Sequence, residues 1–209
     1  MKVKICGITN QEIAELCEQN NCDFVGAIFY EKSCRNLDLK NAKSIFKNLK
    51  ITKKVAVVVD PVEDFVKSVI DQFNPDLIQF HGQESIADLE LFKKNYPKTP
   101  IIKAISIASK NQLENIKIFE PIIDYFLFDA VEPGSGNVFD WHILNHLNIS
   151  KPWFLAGGIS LANIEQAIKI TNAKLIDISS SLEKTRGVKD KNLVLDFLNK
   201  INNLKQKCC

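Results

Sequence analysis

Eight short runs rich in β-branched, aromatic and other apolar residues recur along the chain, at 2–5, 24–30, 54–59, 77–80, 101–105, 125–128, 153–156 and 175–178. Most are nearly continuously apolar rather than alternating, as expected for strands of a parallel sheet covered on both faces. Between most of them lie stretches with apolar residues at helical spacing. Asn10 to Asn20 carries Ile13, Ala14, Leu16 and Cys17, and Asp60-Pro61 opens Val62 to Phe73 with proline in the first turn. Ser160 and Asp190 stand where they can cap helices over Leu161 to Ile170 and Leu193 to Leu204. A strand–helix period of roughly 25 residues fits right-handed βαβ units. Eight of them predict an α/β fold, a closed (β/α)8 TIM barrel, with an open doubly wound sheet as the structural rival.

The chain has 209 residues, 45% of them hydrophobic, enough for the core of one such barrel. The expectation is one domain over 1–209, ending in a short polar tail at about 205–209. The 27 basic and 25 acidic residues are scattered and leave a net charge of +2, so nothing points to nucleic acid or a membrane surface. No apolar run approaches the roughly 18 residues of a membrane span. The first residues read as a charged strand rather than a secretory leader. A cytoplasmic protein is expected, monomer or homodimer, its six cysteines (6, 17, 22, 34, 208 and 209) free thiols. They show no paired zinc spacing, and Cys208-Cys209 fits neither a mutual bridge nor a prenylation signal. His142 and His146 are four apart but lack a third ligand, so no metal is expected.

In a barrel of this kind chemistry sits at the C-terminal ends of the strands. Those places hold Cys6-Gly7 after strand 1, Ser33 and Arg35 after strand 2, and Gln79, His81 and Gly82 at strand 4. Strand 6 ends at Asp129, strand 7 at Gly157-Gly158, and strand 8 at Asp177 with Ser179, Ser180 and Ser181. Glycines let backbone approach a ligand closely, and a serine-rich start to a short helix offers N–H groups and hydroxyls. Each is commonplace alone; on the last two strands together they read as a phosphate cradle. Cys6 and Asp129, on strands 1 and 6 with two strands between them around a closed ring, can face one pocket. A thiolate serves as base if its pKa is lowered, and a carboxylic acid as proton donor if its own is raised. The bland readings are a small buried hydrophobe and a loop carboxylate. Cys17 and Cys22 keep the bland reading. A guanidinium at Arg35 suits a planar carboxylate, and His81 is a candidate for capping or support.

The stretches K-I-C-G-I-T, F-Y-x-K-S-x-R, Q-F-H-G, G-S-G-x-x-F-D-W, G-G-I and S-S followed by G-x-K-D span residues 4 to 190. In order and spacing they resemble the phosphoribosylanthranilate isomerase family of tryptophan biosynthesis. The resemblance implies a cofactor-free Amadori rearrangement of a phosphosugar substrate, N-(5-phosphoribosyl)anthranilate to 1-(2-carboxyphenylamino)-1-deoxyribulose 5-phosphate. By that resemblance Asp129 is the general acid and Cys6 the general base. Arg35 holds the anthranilate carboxylate, and Gly157, Gly158, Ser179 and Ser180 bind phosphate. Gly134 and Gly136 lie in a loop over the pocket, and Asp177 is a floor residue. Gly7 would leave room for substrate above the thiol. Where the family usually has glycine, this chain has Ser181, which would be strained if that position required φ > 0. Cys34 adds a thiol near the active face.

The alternative is another phosphosugar-binding TIM-barrel enzyme. An epimerase would need metal-binding histidines. An indole-glycerol-phosphate synthase would need a catalytic lysine with acidic partners, which the sequence does not place beside Lys4 or Lys103. A catalytically dead barrel would have lost the acid or the base, and both are present.

Overall fold

A computed structural model describes residues 1–107, 113, 116–130 and 140–207, except the side chains of residues 146 and 207. Each apolar run forms a strand: β1 (Lys2–Cys6), β2 (Phe24–Phe29), β3 (Lys53–Val58), β4 (Leu77–Phe80), β5 (Ile101–Ile107), β6 (Tyr125–Ala130), β7 (Trp153–Leu155) and β8 (Leu175–Ile178). They pair in chain order, all parallel, and β8 closes on β1. The open-sheet alternative is thereby excluded.

The pleat sends alternate residues to opposite sides of the wall. Val3 and Ile5 of β1, Phe126 and Phe128 of β6, and Ile176 and Ile178 of β8 face the helices. Their neighbours Cys6, Leu127 and Leu175 join Phe24, Val55, Leu77, Ile102 and Phe154 inside the barrel. Phe24 and Phe154 meet edge to face across the interior at 5.5 Å, so the barrel is filled rather than hollow. Burying one such ring contributes about 1.5–3 kcal/mol.

The helices are α1 (Gln11–Gln19), α2 (Leu39–Phe46), α3 (Glu63–Phe73), α4 (Ile86–Asn95), α5 (Ile164–Thr171) and α6 (Lys191–Lys207). Between β5 and β6, and between β6 and β7, the described residues form 3-10 segments at Ile116–Phe119 and Trp141–His146. Beyond β8 a single 3-10 turn, Ser180–Leu182, leads into a hairpin of β9 (Glu183–Thr185) and β10 (Val188–Lys189).

Three helix boundaries differ from expectation. α3 begins at Glu63, with Val62 as its cap rather than its first residue, and Asp60 serves another purpose: its carboxylate accepts from Gln83 N–H at 2.6 Å and ties the β3 loop to the β4 loop. α5 begins at Ile164, not Leu161. Asn163 accepts from Ser160 N–H and donates to the Gly158 carbonyl, both at 2.8 Å, so the residues before it are held in a turn. α6 continues through Lys207, past the expected end at Leu204; the described part of the polar tail is helical, with Lys205 3.2 Å from Asp23. Asp190 caps α6 as expected, accepting from Asn192 and Leu193 N–H.

Candidate active site

The period of two that fills the barrel also decides what its mouth presents. Cys6 lies two residues beyond Lys4, Asp129 two beyond Leu127, Asp177 two beyond Leu175, and His81 two beyond Gln79, all on the inward side. Cys6, Arg35, His81, Asp129, Asp177 and Ser179 line one cavity of about 360 Å³ at the C-terminal end of the barrel. Gln79 is wholly buried beneath His81. Gly134 and Gly136 lie outside the described residues.

Under the cavity floor is a buried ion pair. Lys4 and Asp177 are register partners on adjacent strands and pair at 3.0 Å. Burial opposes the charge of Lys4, yet Asp177 and Cys6 beside it hold its pKa above the ordinary range. Burial pushes the Cys6 thiol up, while the Lys4 and Lys189 ammoniums pull it down. In the empty site the thiol is therefore protonated at neutral pH, not pre-ionised. Lys103 also has a partner, Glu84 at 2.6 Å. The acidic partners expected to be missing are present for both lysines. Tertiary folding supplies them from distant positions, and neither lysine lines the cavity.

Asp129 Oδ1 accepts from Ala130 N–H at 2.8 Å. Its Oδ2 is 3.4 Å from His81 Nε2, close enough for charge but without a hydrogen bond. His81 Nδ1 lies 2.7 Å from Gln79 Nε2, and among the described residues neither His81 Nε2 nor Gln79 Oε1 has a hydrogen-bond partner. Gly157 closes over the carboxylate: it has φ +75°, and a Cβ there would fall 2.6 Å from Ala130 N and 3.1 Å from Asp129 Oδ1.

Gly7 has φ +74°, and a Cβ there would fall 2.4 Å from Cδ of Arg35, so glycine lets the arginine side chain lie against the strand end. Arg35 itself is committed: Nε and Nη2 donate to the two oxygens of Glu183 at 2.5 and 2.9 Å. Glu183 also accepts from Lys189 at 2.8 Å and from Gly187 N–H at 2.9 Å. Burial opposes its charge, but these donors lower its pKa to about 2. Burial lowers the pKa of Lys189, which also donates to the carbonyl and hydroxyl of Ser179 at 3.0 and 3.1 Å.

The serine segment is one 3-10 turn rather than the start of a helix. Among the described residues, the backbone N–H groups of Gly157, Gly158, Ser180 and Ser181 meet no protein acceptor. Ser181 escapes the anticipated strain: it is absent from the residues with positive φ, and its hydroxyl donates to the Ile159 carbonyl at 2.5 Å, tying the β8 loop to the β7 loop. Ser179 donates to the carbonyl of Cys6 at 3.0 Å. His142 is exposed on its 3-10 segment, and the His146 side chain is outside the described set. Among the described residues no three His, Cys, Asp or Glu side chains are grouped to hold a metal.

The sequence reading passed over Glu183 and Lys189. Lys189 stood inside a quoted motif without a role, and Glu183 meets its arginine across 148 positions, with no local signal.

Residues 3–200 match the family model of N-(5'-phosphoribosyl)anthranilate isomerase. The chain belongs to this family. A member from Petrotoga mobilis is 38% identical over 212 residues, covering 99% of this chain and all of that one. The phosphoribosylanthranilate isomerase of Thermus thermophilus superposes with a TM-score of 0.86 at 25% identity, covering 98% of this chain and 100% of that one. A further isomerase structure has a TM-score of 0.83 at 27% identity and covers 97% of this chain and 99% of that one. It is a complex with reduced 1-(o-carboxyphenylamino)-1-deoxyribulose 5-phosphate. In this isomerase family member, no helix among the described residues is long and apolar enough to cross a membrane.

Proposed function

We propose that this chain converts N-(5'-phosphoribosyl)anthranilate to 1-(2-carboxyphenylamino)-1-deoxyribulose 5-phosphate, in the cytoplasm, with Cys6 and Asp129 as its base and acid. The observation that carries the reading is that the thiol and the carboxyl group line one cavity from strands separated by two others in a closed ring. Its volume, about 360 Å³, is of the order that encloses a small organic molecule.

The chemistry is a relocation of protons. Asp129, its Oδ1 held by Ala130 N–H, protonates the furanose ring oxygen. The C1′–O bond breaks and the nitrogen lone pair forms an iminium. Cys6, having first lost its own thiol proton to bulk water, removes the C2′ proton as the thiolate; the C–H electrons form C1′=C2′, and the iminium accepts the displaced pair. Loss of the enol proton and protonation at C1′ give the ketone, so no atoms are gained or lost. The iminium brings a positive charge into a water-poor pocket, and a nearby cation favours the thiolate. The unpaired N–H groups of Gly157, Gly158, Ser180 and Ser181, with Ser179 and the Lys189 charge behind it, are the phosphate end. Asp177 is the floor, where burial raises its pKa and the Lys4 ammonium opposes that rise, and His81 stands beside the acid with Gln79 beneath it.

The test is loss of phosphoribosylanthranilate fluorescence on adding purified protein. Cys6→Ser and Asp129→Asn should each lower kcat at least about 100-fold, the scale of general acid–base catalysis, with circular dichroism unchanged. Near-normal turnover in a folded variant removes that residue from the mechanism. An inactive wild type beside an active control enzyme removes the function.

A further inference from the structure

Cys6 ends β1, and Lys4 is the inward residue directly below it on the same strand. Lys4 is wholly buried, so its ammonium ends inside the barrel, under the cavity. An ammonium has three donors. Among the described residues Nζ gives one hydrogen bond to an oxygen, Asp177 Oδ1 at 3.0 Å, and the other group it reaches is the Cys6 side chain. The sulfur above has little freedom. Gly26 is the register partner of Cys6 on β2, and a Cβ there would lie 2.8 Å from Sγ, so the sulfur packs directly against the β2 backbone. The Gly26 carbonyl accepts from Gly7 and Ile8 N–H at 3.0 and 3.1 Å, and the Cys6 carbonyl accepts from Ser179 at 3.0 Å, which fixes the strand end.

Other charges face the thiol from every side. Asp177 comes from β8, Lys189 from β10 and Arg35 from the loop after β2, while Asp129 and His81 stand across the same cavity. The two other cations are engaged elsewhere. Lys189 gives its donors to the carbonyl and hydroxyl of Ser179 and to Glu183, and Arg35 turns its fork to Glu183. Lys4 is the cation with a donor left for the sulfur.

We propose that Lys4 is the counter-ion of the Cys6 thiolate, a positioning residue that acts on the substrate only through the sulfur. This rests on Cys6 being the base of the isomerisation proposed above. While the thiol keeps its proton, Lys4 pairs with Asp177. Once that proton has left for bulk water, the same ammonium lies between a carboxylate and a thiolate and donates to both. Lys4 does not line the cavity, so it has no contact with a ligand there. An opposite charge within about 4–6 Å shifts a titration by about 1–3 pH units. Without Lys4 the thiolate fraction at a given pH should therefore fall about 10-fold or more.

Iodoacetamide alkylation of the full chain at about pH 8, read at Cys6 by tandem mass spectrometry, tests it. A merely structural Lys4 would leave a loosened barrel when replaced, and Cys6 would react faster. The counter-ion predicts the opposite. Lys4→Met should slow Cys6 alkylation about 3-fold or more, a tenfold smaller thiolate fraction being partly offset by the stronger nucleophile. Lys4→Met with Asp177→Asn strands no carboxylate, and decides the matter if the single variant does not fold. It should also react more slowly than wild type, since at the sulfur the pull of Lys4 outweighs the opposition of Asp177. In turnover, Lys4→Met should lower kcat about 3-fold or more and leave KM within about 2-fold. The assignment is overturned if the folded variants alkylate at Cys6 as fast as wild type or faster, or if KM rises while kcat holds. Alkylation needs no substrate, so the two claims separate. Active wild type with unslowed variants removes only the role of Lys4, whereas inactive wild type removes the underlying function.

Discussion

Glu183→Gln removes the charge on which Arg35, Lys189 and the hairpin converge. The side chain of Glu183 is 4% exposed and that of Lys189 is wholly buried, so water cannot replace what is lost. Two routes give the size. Removing one partner of a buried ion pair costs about 3–5 kcal/mol because the other charge is stranded. Lowering of the Glu183 pKa from 4.5 to about 2 corresponds to roughly 3 kcal/mol, at about 1.4 kcal/mol per pH unit. Both predict a loss near 3 kcal/mol at pH 7, or a fall in Tm of about 6–12 °C for a chain of this length. The sign with pH follows from the depressed value. The contribution is complete above about pH 4.5 and is lost as pH falls toward about 2. At pH 3.5 the gap between wild type and variant should therefore have shrunk by about 1.4 kcal/mol. Urea unfolding of both proteins at pH 7 and pH 3.5 measures this. A gap below about 1 kcal/mol at pH 7, or one that does not narrow with acid, would refute the claim that Glu183 is the centre of a buried charge network.

Lys4→Met strands Asp177 under the cavity and should cost about 3–5 kcal/mol in urea unfolding; Lys4→Met with Asp177→Leu should recover most of it, and no recovery would mean that the pair is not the source of the cost. His81→Asn removes the ring 3.4 Å from the Asp129 carboxylate and should lower kcat by roughly 10- to 100-fold; an unchanged kcat would leave His81 without a part in positioning Asp129. Cys6 oxidation or alkylation should be slow at pH 7 without substrate, since burial keeps the thiol protonated; fast modification by a small alkylating agent would contradict that.

The strand–helix alternation and the strand-end chemistry were legible because both depend on local pattern. Cys6 and Asp129 stand at the last inward positions of their strands, and a period of two carries each to the cavity wherever the rest of the chain goes. The glycine pair and the serine run stand on the loops after β7 and β8 as read, with the serines in a single 3-10 turn. Helix starts at α3 and α5 were misplaced because Asp60 bonds to the β4 loop and Asn163 ties back to Ser160 and Gly158 within its own turn, a competition that propensity does not register.

What the sequence alone determined is the closed eightfold alternation and the identity of the groups at its mouth, since strand period and helix spacing act within a few residues. Only the tertiary structure decided which charges neutralise each other. Lys4 meets Asp177 across 173 positions and Arg35 meets Glu183 across 148, and those meetings depend on barrel closure and strand register. A buried charge is tolerated only beside its counter-charge, so closure decides which of these charges can be buried together.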